Sequence, residues 1–339
     1  MVIRYDYMDW LRVLSIFVVV GIHVVSKITS SVPPDEWAWQ FANAIAVGLR
    51  WCVPVFFMLS GALLLTRKKE ESIRTFLKKR LMKVVIPLLF WSFVYIAFNV
   101  FGKDASYTFM EMIQAILNDE VYFHLWFLYV IIGLYLMAPF LKILVHNMTQ
   151  KTFFCFLAFW FLFSSVLPFL QKFWDMKVAV SPGLFESYIG YFMLGAYLML
   201  YPIHRKWLPL LALLAVAGYF ATLFGTEYLV GIDNKHDEFF YGYYRPNTLV
   251  IAIFIFVLFQ NLSNRIKPNA FVTQLSTATL GIYLLHPLVQ AYLYRIFGIH
   301  EMTIHPTVGV PLTWILIYSI SYGIIYAVQK SSVLKKLVP

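Results

Sequence analysis

Charge is what this chain has least of. Only 13% of its 339 residues are charged, against roughly a quarter in an ordinary soluble domain. With 61% hydrophobic residues as well, a soluble globular chain is excluded. Cysteine is nearly absent: Cys52 and Cys155 are the two. They belong to opposite ends of different apolar runs, so no disulfide is expected and no redox compartment is inferred. Glycine-rich phosphate loops, Gly-x-Ser-x-Gly elbows and metal-spaced clusters are missing too, which removes three common chemistries and any expectation of a metal. Carboxylates are outnumbered, 17 against 27 Lys and Arg, for a net charge of +10. That excess could suggest nucleic acid, but a bias of cytoplasmic loops accounts for it better, so no nucleic-acid partner is expected.

What is there instead is apolar runs along the whole chain. They read as one all-α polytopic membrane domain over 1–339, with ten spans near 10–30, 42–65, 81–101, 122–143, 152–171, 184–201, 207–225, 246–262, 272–296 and 308–329. With the N-terminus inside, 18 of the 27 basic residues fall on cytoplasmic segments and eight on outer segments or outer span ends, Arg50 among the eight; Arg12 lies within the first span. Both termini are therefore expected to be cytoplasmic. The first span is no cleaved signal peptide: it carries Arg12 and His23, ends in SKITS without a small-x-small site, and more spans follow.

Arg12 and His23 are the residues that do not belong in such a run. Eleven residues separate them, about 16 Å along a helix and only about 20° past three full turns. They share one face, one low and one high, and ionisable residues aligned inside a membrane mark a path rather than a lipid-facing surface. The fitting chemistry is general-base catalysis. A neutral imidazole can take the proton of an acceptor hydroxyl as it attacks a thioester, then return one to the thiolate. Arg12, fork-shaped and permanently charged, suits phosphate or amide recognition on the cytoplasmic side.

Other polar groups are weighed against blander roles. His286 falls at a depth similar to His23, yet precedes Pro287, where it could satisfy a freed carbonyl. His124, in HLWFLY with Trp126, opens the fourth span, where an interfacial hydrogen-bonding role is the commoner one. Ser60 and Gly61 in FFMLSGALLL form a small pair beside which a helix or a cofactor arm can pass closely. The loop RKKEESIRTFLKKRLMK (67–83) is a topology anchor touching anionic membrane lipid, or a dock for a polyanionic cofactor; Arg80 and Lys83, three apart, would face one side of a helix start. Segment 103–121 has the periodicity of a short interfacial helix. Segment 226–245 mixes carboxylates with tyrosines and phenylalanines, a weak sugar-binding signal, since for most of these residues an ordinary interfacial aromatic belt is the commoner role.

Taken together and in order, these stretches resemble the acyltransferase-3 family of membrane acyltransferases, which includes bacterial cell-surface O-acetyltransferases. DWLRVLSIFVVVGIHV matches that family's Arg-x10-His signature, VPVFFMLSGALLL its Phe-Phe-x-x-Ser-Gly stretch, and KKRLMKVVIPLLFW its Arg-x-x-Arg segment. In the last, Lys83 stands in the second Arg position, keeping the charge and losing the fork. HLWFLYVIIGLYLMAPFL and LSTATLGIYLLHPLV also look like family segments. The resemblance implies a multi-pass protein of the bacterial cytoplasmic membrane that transfers an acyl group, usually acetyl from acetyl-CoA, to a hydroxyl of an envelope glycan or lipid-linked saccharide. It implies His23 and Arg12 as the catalytic pair; beside them, Arg80, Lys83, Ser60 and Gly61 are expected on the donor side and His286, His124 and Trp126 on the acceptor side. A glycan or small-solute transporter or flippase is the alternative reading.

Overall fold

Polar groups cannot be left bare in hydrocarbon, so a chain this apolar crosses a bilayer as helices. The computed structural model describes residues 5–67, 71–174, 176, 188–233 and 237–339, and the long regular elements among them are all helical. They are α1 (Asp6–Ser31), α2 (Trp37–Leu49), α3 (Cys52–Leu65), α4 (Ile73–Lys103), α5 (Phe109–Leu117), α6 (Trp126–Asn147), α7 (Gln150–Phe161), α8 (Leu167–Trp174), α9 (Ile189–Leu200), α10 (Leu208–Asp233), α11 (Pro246–Asn261), α12 (Ala270–Phe297) and α13 (Pro306–Gln329). A π-helical turn, Leu162–Val166, joins α7 to α8. Expected features at 68–70, 184–187 and 234–236 lie outside the described residues.

Each of the ten expected spans meets a helix. Eight segments are long and apolar enough to cross a membrane, with α2 and α3 counting as one and α7 with α8 as another. The other two expected spans fall short for separate reasons. α9 has only 12 described residues. α12 has 28, but Gln274, Ser276, His286 and Gln290 dilute its apolar character. It tolerates them because it packs inside the bundle against α1 and α13, where protein rather than lipid meets its side chains. α5 is the short surface helix expected in 103–121, opened by a capping box of Thr108 and Glu111 and presenting exposed Phe109, Met110 and Leu117. Cys52 is buried, Cys155 is exposed, and both are free thiols.

The apolar windows of α1 and of Trp37–Leu65 are 61% and 67% buried, against 17% for the segment containing α10. The first helices therefore form the centre of the bundle and α10 its rim. α1 is pinned along its length. Ser276 of α12 donates to Asp9 at 2.7 Å, Trp314 of α13 to the Phe17 carbonyl at 2.6 Å, Gln290 of α12 to the His23 carbonyl at 3.1 Å, and Trp39 of α2 to the Thr29 carbonyl at 3.2 Å.

Apolar burial between helices gains little where lipid is the solvent, so close backbone approach carries more of the packing. α3 and α9 show it. A Cβ on Gly61 would lie 1.7 Å from the Phe192 carbonyl oxygen, and one on Gly195 would lie 1.9 Å from that of Met58. Gly61→Ala or Gly195→Ala is expected to force the helices apart and cost about 1–3 kcal/mol of stability each. Gly133→Ala, where a Cβ meets nothing within 4 Å, should leave it unchanged. Unfolding midpoints of the detergent-solubilised variants check this, and equal midpoints for all three would refute the packing argument.

Candidate active site

Arg12 and His23 open into the same cavity. It has a volume of about 200 Å³ and is lined from α1 by Arg12, Val19, Ile22 and His23, and from α3 by Val53, Phe56 and Ser60; α4, α6, α12 and Tyr243, just ahead of α11, complete the wall. The helical arithmetic thus turns into a slot: a guanidinium toward one end, an imidazole about three turns further on, and mainly apolar walls between.

The guanidinium is held in place. Arg12 Nη1 lies 3.2 Å from Asp9 Oδ1, and that oxygen also accepts from Ser276. Asp9 is buried, so its charge is met by Arg12 and oriented by the α12 hydroxyl. Tyr135 of α6 adds a third group at this end. It lines the cavity, its hydroxyl is in hydrogen-bonding reach of Ser60, and both Arg12 and Arg80 act on it electrostatically.

The three nominated histidines come together from distant segments. The His23 and His286 ring centroids are 5.1 Å apart, and those of His286 and His124 5.9 Å. Their access differs. His23 is half-buried and faces the cavity, whereas His286 and His124 are fully buried behind it and line none of it. His286 Nδ1 sits 3.1 Å from the Ile282 carbonyl. A carbonyl only accepts, so Nδ1 carries the proton, and Nε2 of the neutral ring is an acceptor with no partner among the described residues. Tyr283 donates its hydroxyl to the His124 carbonyl, and Tyr95, Tyr122 and Phe123 pack around the His124 ring. Phe123 also lies against His23, 5.1 Å between centroids.

The remaining nominees divide. Trp126 lines the cavity and stacks on Tyr188 at 5.4 Å. Ser60 faces the cavity, while its neighbour Gly61 serves the α3–α9 contact. Arg80 and Lys83, expected on one side of α4, are separated. Half-buried Arg80 is near Tyr135, but exposed Lys83 lines a second groove of about 630 Å³ with Lys335 and Lys336 of the C-terminal turn. Three residues turn a helix by about 300°, enough to aim the two side chains at different neighbours when α4 lies between α6 and the C-terminal turn.

Three groups escaped the sequence reading. Tyr135 carries no signal beyond being one aromatic in an apolar span. Tyr243, within the aromatic 226–245 segment, lines the cavity. Arg50, counted from sequence as an outer span end, lies at the junction of α2 and α3 in the middle of the apolar segment Trp37–Leu65. Its signal was an arginine between IAVGL and WCVPVFFML. Among the described residues, no group of three or more His, Cys, Asp or Glu is placed to hold a metal ion.

The family model described as an acyltransferase domain matches residues 5–329. No curated protein and no solved structure matches the chain.

Asp119, in the loop between α5 and α6, borders this site and acts electrostatically on Tyr283 and Tyr129. Its Oδ1 is buried without a partner among the described residues, and burial pushes the carboxyl from an ordinary 3.8 up to about 6. The folded state thus holds this proton more tightly than the unfolded chain, so folding stability falls as pH rises between about 4 and 6, and the penalty is complete above 6. Asp119→Asn should flatten that part of the stability–pH curve and raise the unfolding midpoint at pH 7. An unchanged curve would show that this carboxyl is solvated in the protein.

Proposed function

The chain belongs to the acyltransferase-3 family and is a membrane acyltransferase, and we propose that it transfers an acyl group, acetyl first among them, from cytoplasmic acyl-CoA to a hydroxyl of an envelope glycan or lipid-linked saccharide. The observation that carries this reading is the single cavity shared by Arg12 and His23. A slender pantetheine arm suits its narrow, mostly apolar walls, which keep the thioester from water. In this reading the arm enters past Arg12 and Tyr135, with Arg80 near the donor's phosphates and Lys83 in the neighbouring basic groove. Ser60 is a hydroxyl beside the arm. The donor side is cytoplasmic, as the charge bias of the loops supports.

At the far end His23 is the group able to move a proton. It removes the acceptor's hydroxyl proton as the oxygen attacks the acyl carbon, and returns one to the departing sulfur. His286, with its unpartnered Nε2 next to His23, steadies the imidazolium formed between those two transfers. His124 packs behind it, and Trp126 offers an aromatic face to a sugar ring. A transient acyl-histidine is the second route through the same residue.

Label from acyl-CoA should pass to envelope acceptor in the presence of the purified protein, and His23→Ala should abolish it; a normally folded His23→Ala protein with full activity would remove His23 from the role of base. Arg12→Lys should still lose most activity, because a charge without the fork does not restore bidentate contact. Acyl-CoA should raise the unfolding midpoint of the wild type. No rise would favour the transport alternative, which needs no acyl donor site.

A further inference from the structure

We propose that the Tyr243 hydroxyl, backed by the Arg50 guanidinium, holds the oxyanion of the tetrahedral intermediate opposite His23. The inference rests on the acyl-transfer reading of the same cavity and assigns the one role it leaves empty, a donor for developing negative charge.

Arg50 needs an explanation. It interrupts the apolar segment Trp37–Leu65 between α2 and α3, and a permanent charge within such a segment is expensive unless something there uses it. No carboxylate forms an ion pair with it among the described residues. Instead its guanidinium carbon lies 4.3 Å from the centre of the Tyr241 ring, and its Nε is buried without a hydrogen-bond partner among the described residues. Tyr241 is itself fixed, since its hydroxyl donates to Asn43. The guanidinium is in hydrogen-bonding reach of the Tyr243 hydroxyl.

Tyr243 is the member of this group that lines the cavity. Its backbone is tied down by Tyr191, whose hydroxyl donates to the Tyr243 carbonyl at 2.5 Å, and its ring rests 6.2 Å from that of Trp126. Trp126 follows His124 by two residues, and the His124 and His23 rings both lie against His286, so the phenol and the imidazole occupy the same end of the cavity, where Arg50 acts electrostatically on both. A phenol that accepts from a cation keeps its own O–H free and becomes a stronger donor through it. A neutral donor reinforced by a fixed charge, in a site poor in water, is the arrangement that stabilises an oxyanion without reorganising.

The step balances as follows. The acceptor oxygen bonds to the acyl carbon and its proton passes to His23. The carbonyl π pair moves onto the carbonyl oxygen, which takes the Tyr243 hydrogen bond. When that pair re-forms the C=O bond, the C–S bond breaks, and the sulfur leaves with its electron pair and takes the proton from His23.

Membranes of a host expressing the protein, with their own saccharide acceptors, are supplied with [1-14C]acetyl-CoA. Tyr243→Phe keeps the ring and its packing, so kcat should fall about a hundredfold or more with KM for acetyl-CoA within threefold. Arg50→Gln should lower kcat about tenfold, and the double variant should be no slower than Tyr243→Phe alone, because both act on one interaction. Tyr243→Phe within threefold of wild type, beside an inactive His23→Ala, overturns the oxyanion role and leaves the acyl-transfer reading standing. No labelling by wild type above a host lacking the protein overturns both. Should Tyr243→Phe fail to accumulate, Arg50→Gln decides alone, and an unchanged kcat overturns the proposal.

Discussion

In a bilayer, a polar group on the central helix must be met by protein or open into a cavity, since the hydrocarbon offers nothing to bond with. α1 meets that requirement at four points spread over its length, held by hydrogen bonds from α12 at Asp9 and His23, from α13 at Phe17 and from α2 at Thr29, while its buried Ser15 hydroxyl has no partner among the described residues. Such bonds between membrane helices average about 0.6 kcal/mol, so four of them add only modest stability. Their larger effect is registration. They set the height and rotation of α1 against three neighbours, and so decide which side chains of α1 face the slot. Arg12 and His23 do; Leu11 and Val24, one residue away from each, are fully buried against the bundle.

The same constraint sorts the histidines. His286 and His124 are deep enough that neither lines the cavity, and each has at least one ring nitrogen without a partner among the described residues. Unsatisfied polar atoms of this kind cost stability wherever they are placed. Two imidazoles set behind the one that faces the cavity are more than packing needs, since apolar side chains would fill the space without the penalty. The cost is intelligible if the exposed ring must carry a proton briefly and the rings behind it accommodate that charge. Tyr95 and Tyr283 then serve as the frame that holds them in line.

Much of this was legible in the sequence, and the reason is periodicity. Eleven residues bring Arg12 and His23 back to one face of any straight helix, so their common stripe follows from spacing alone. The apolar runs gave the helices for the same reason. What spacing does not carry is the identity of the neighbours. Ser60 and Gly61 are adjacent, yet one meets the cavity and the other the α9 backbone, and only the packing of α3 decides which. Arg80 and Lys83 diverge because α4 has different partners on its two sides. Tyr135 and Tyr283 are indistinguishable in sequence from the many aromatics that merely fill space. Arg50 was misplaced for a more specific reason: a span begun at 42 puts it near the outer end, whereas the structure begins the helical segment at Trp37 and leaves Arg50 at a break in its middle.

That break is itself informative about how the two ends of the slot differ. Arg12 has a carboxylate beside it, so its charge is already largely met, and it can offer directional hydrogen bonds to a ligand without adding a large unbalanced field. Arg50 has aromatic faces and a phenol instead, groups that soften its charge without cancelling it. A cavity built this way holds one end where Arg12 is paired with a carboxylate and another where Arg50 is not, with mainly apolar walls between. A neutral thioester meets no barrier on entering it. The far end, where His23 is, favours negative charge inside the cavity itself, and it is there that an acyl carbon under attack would develop it.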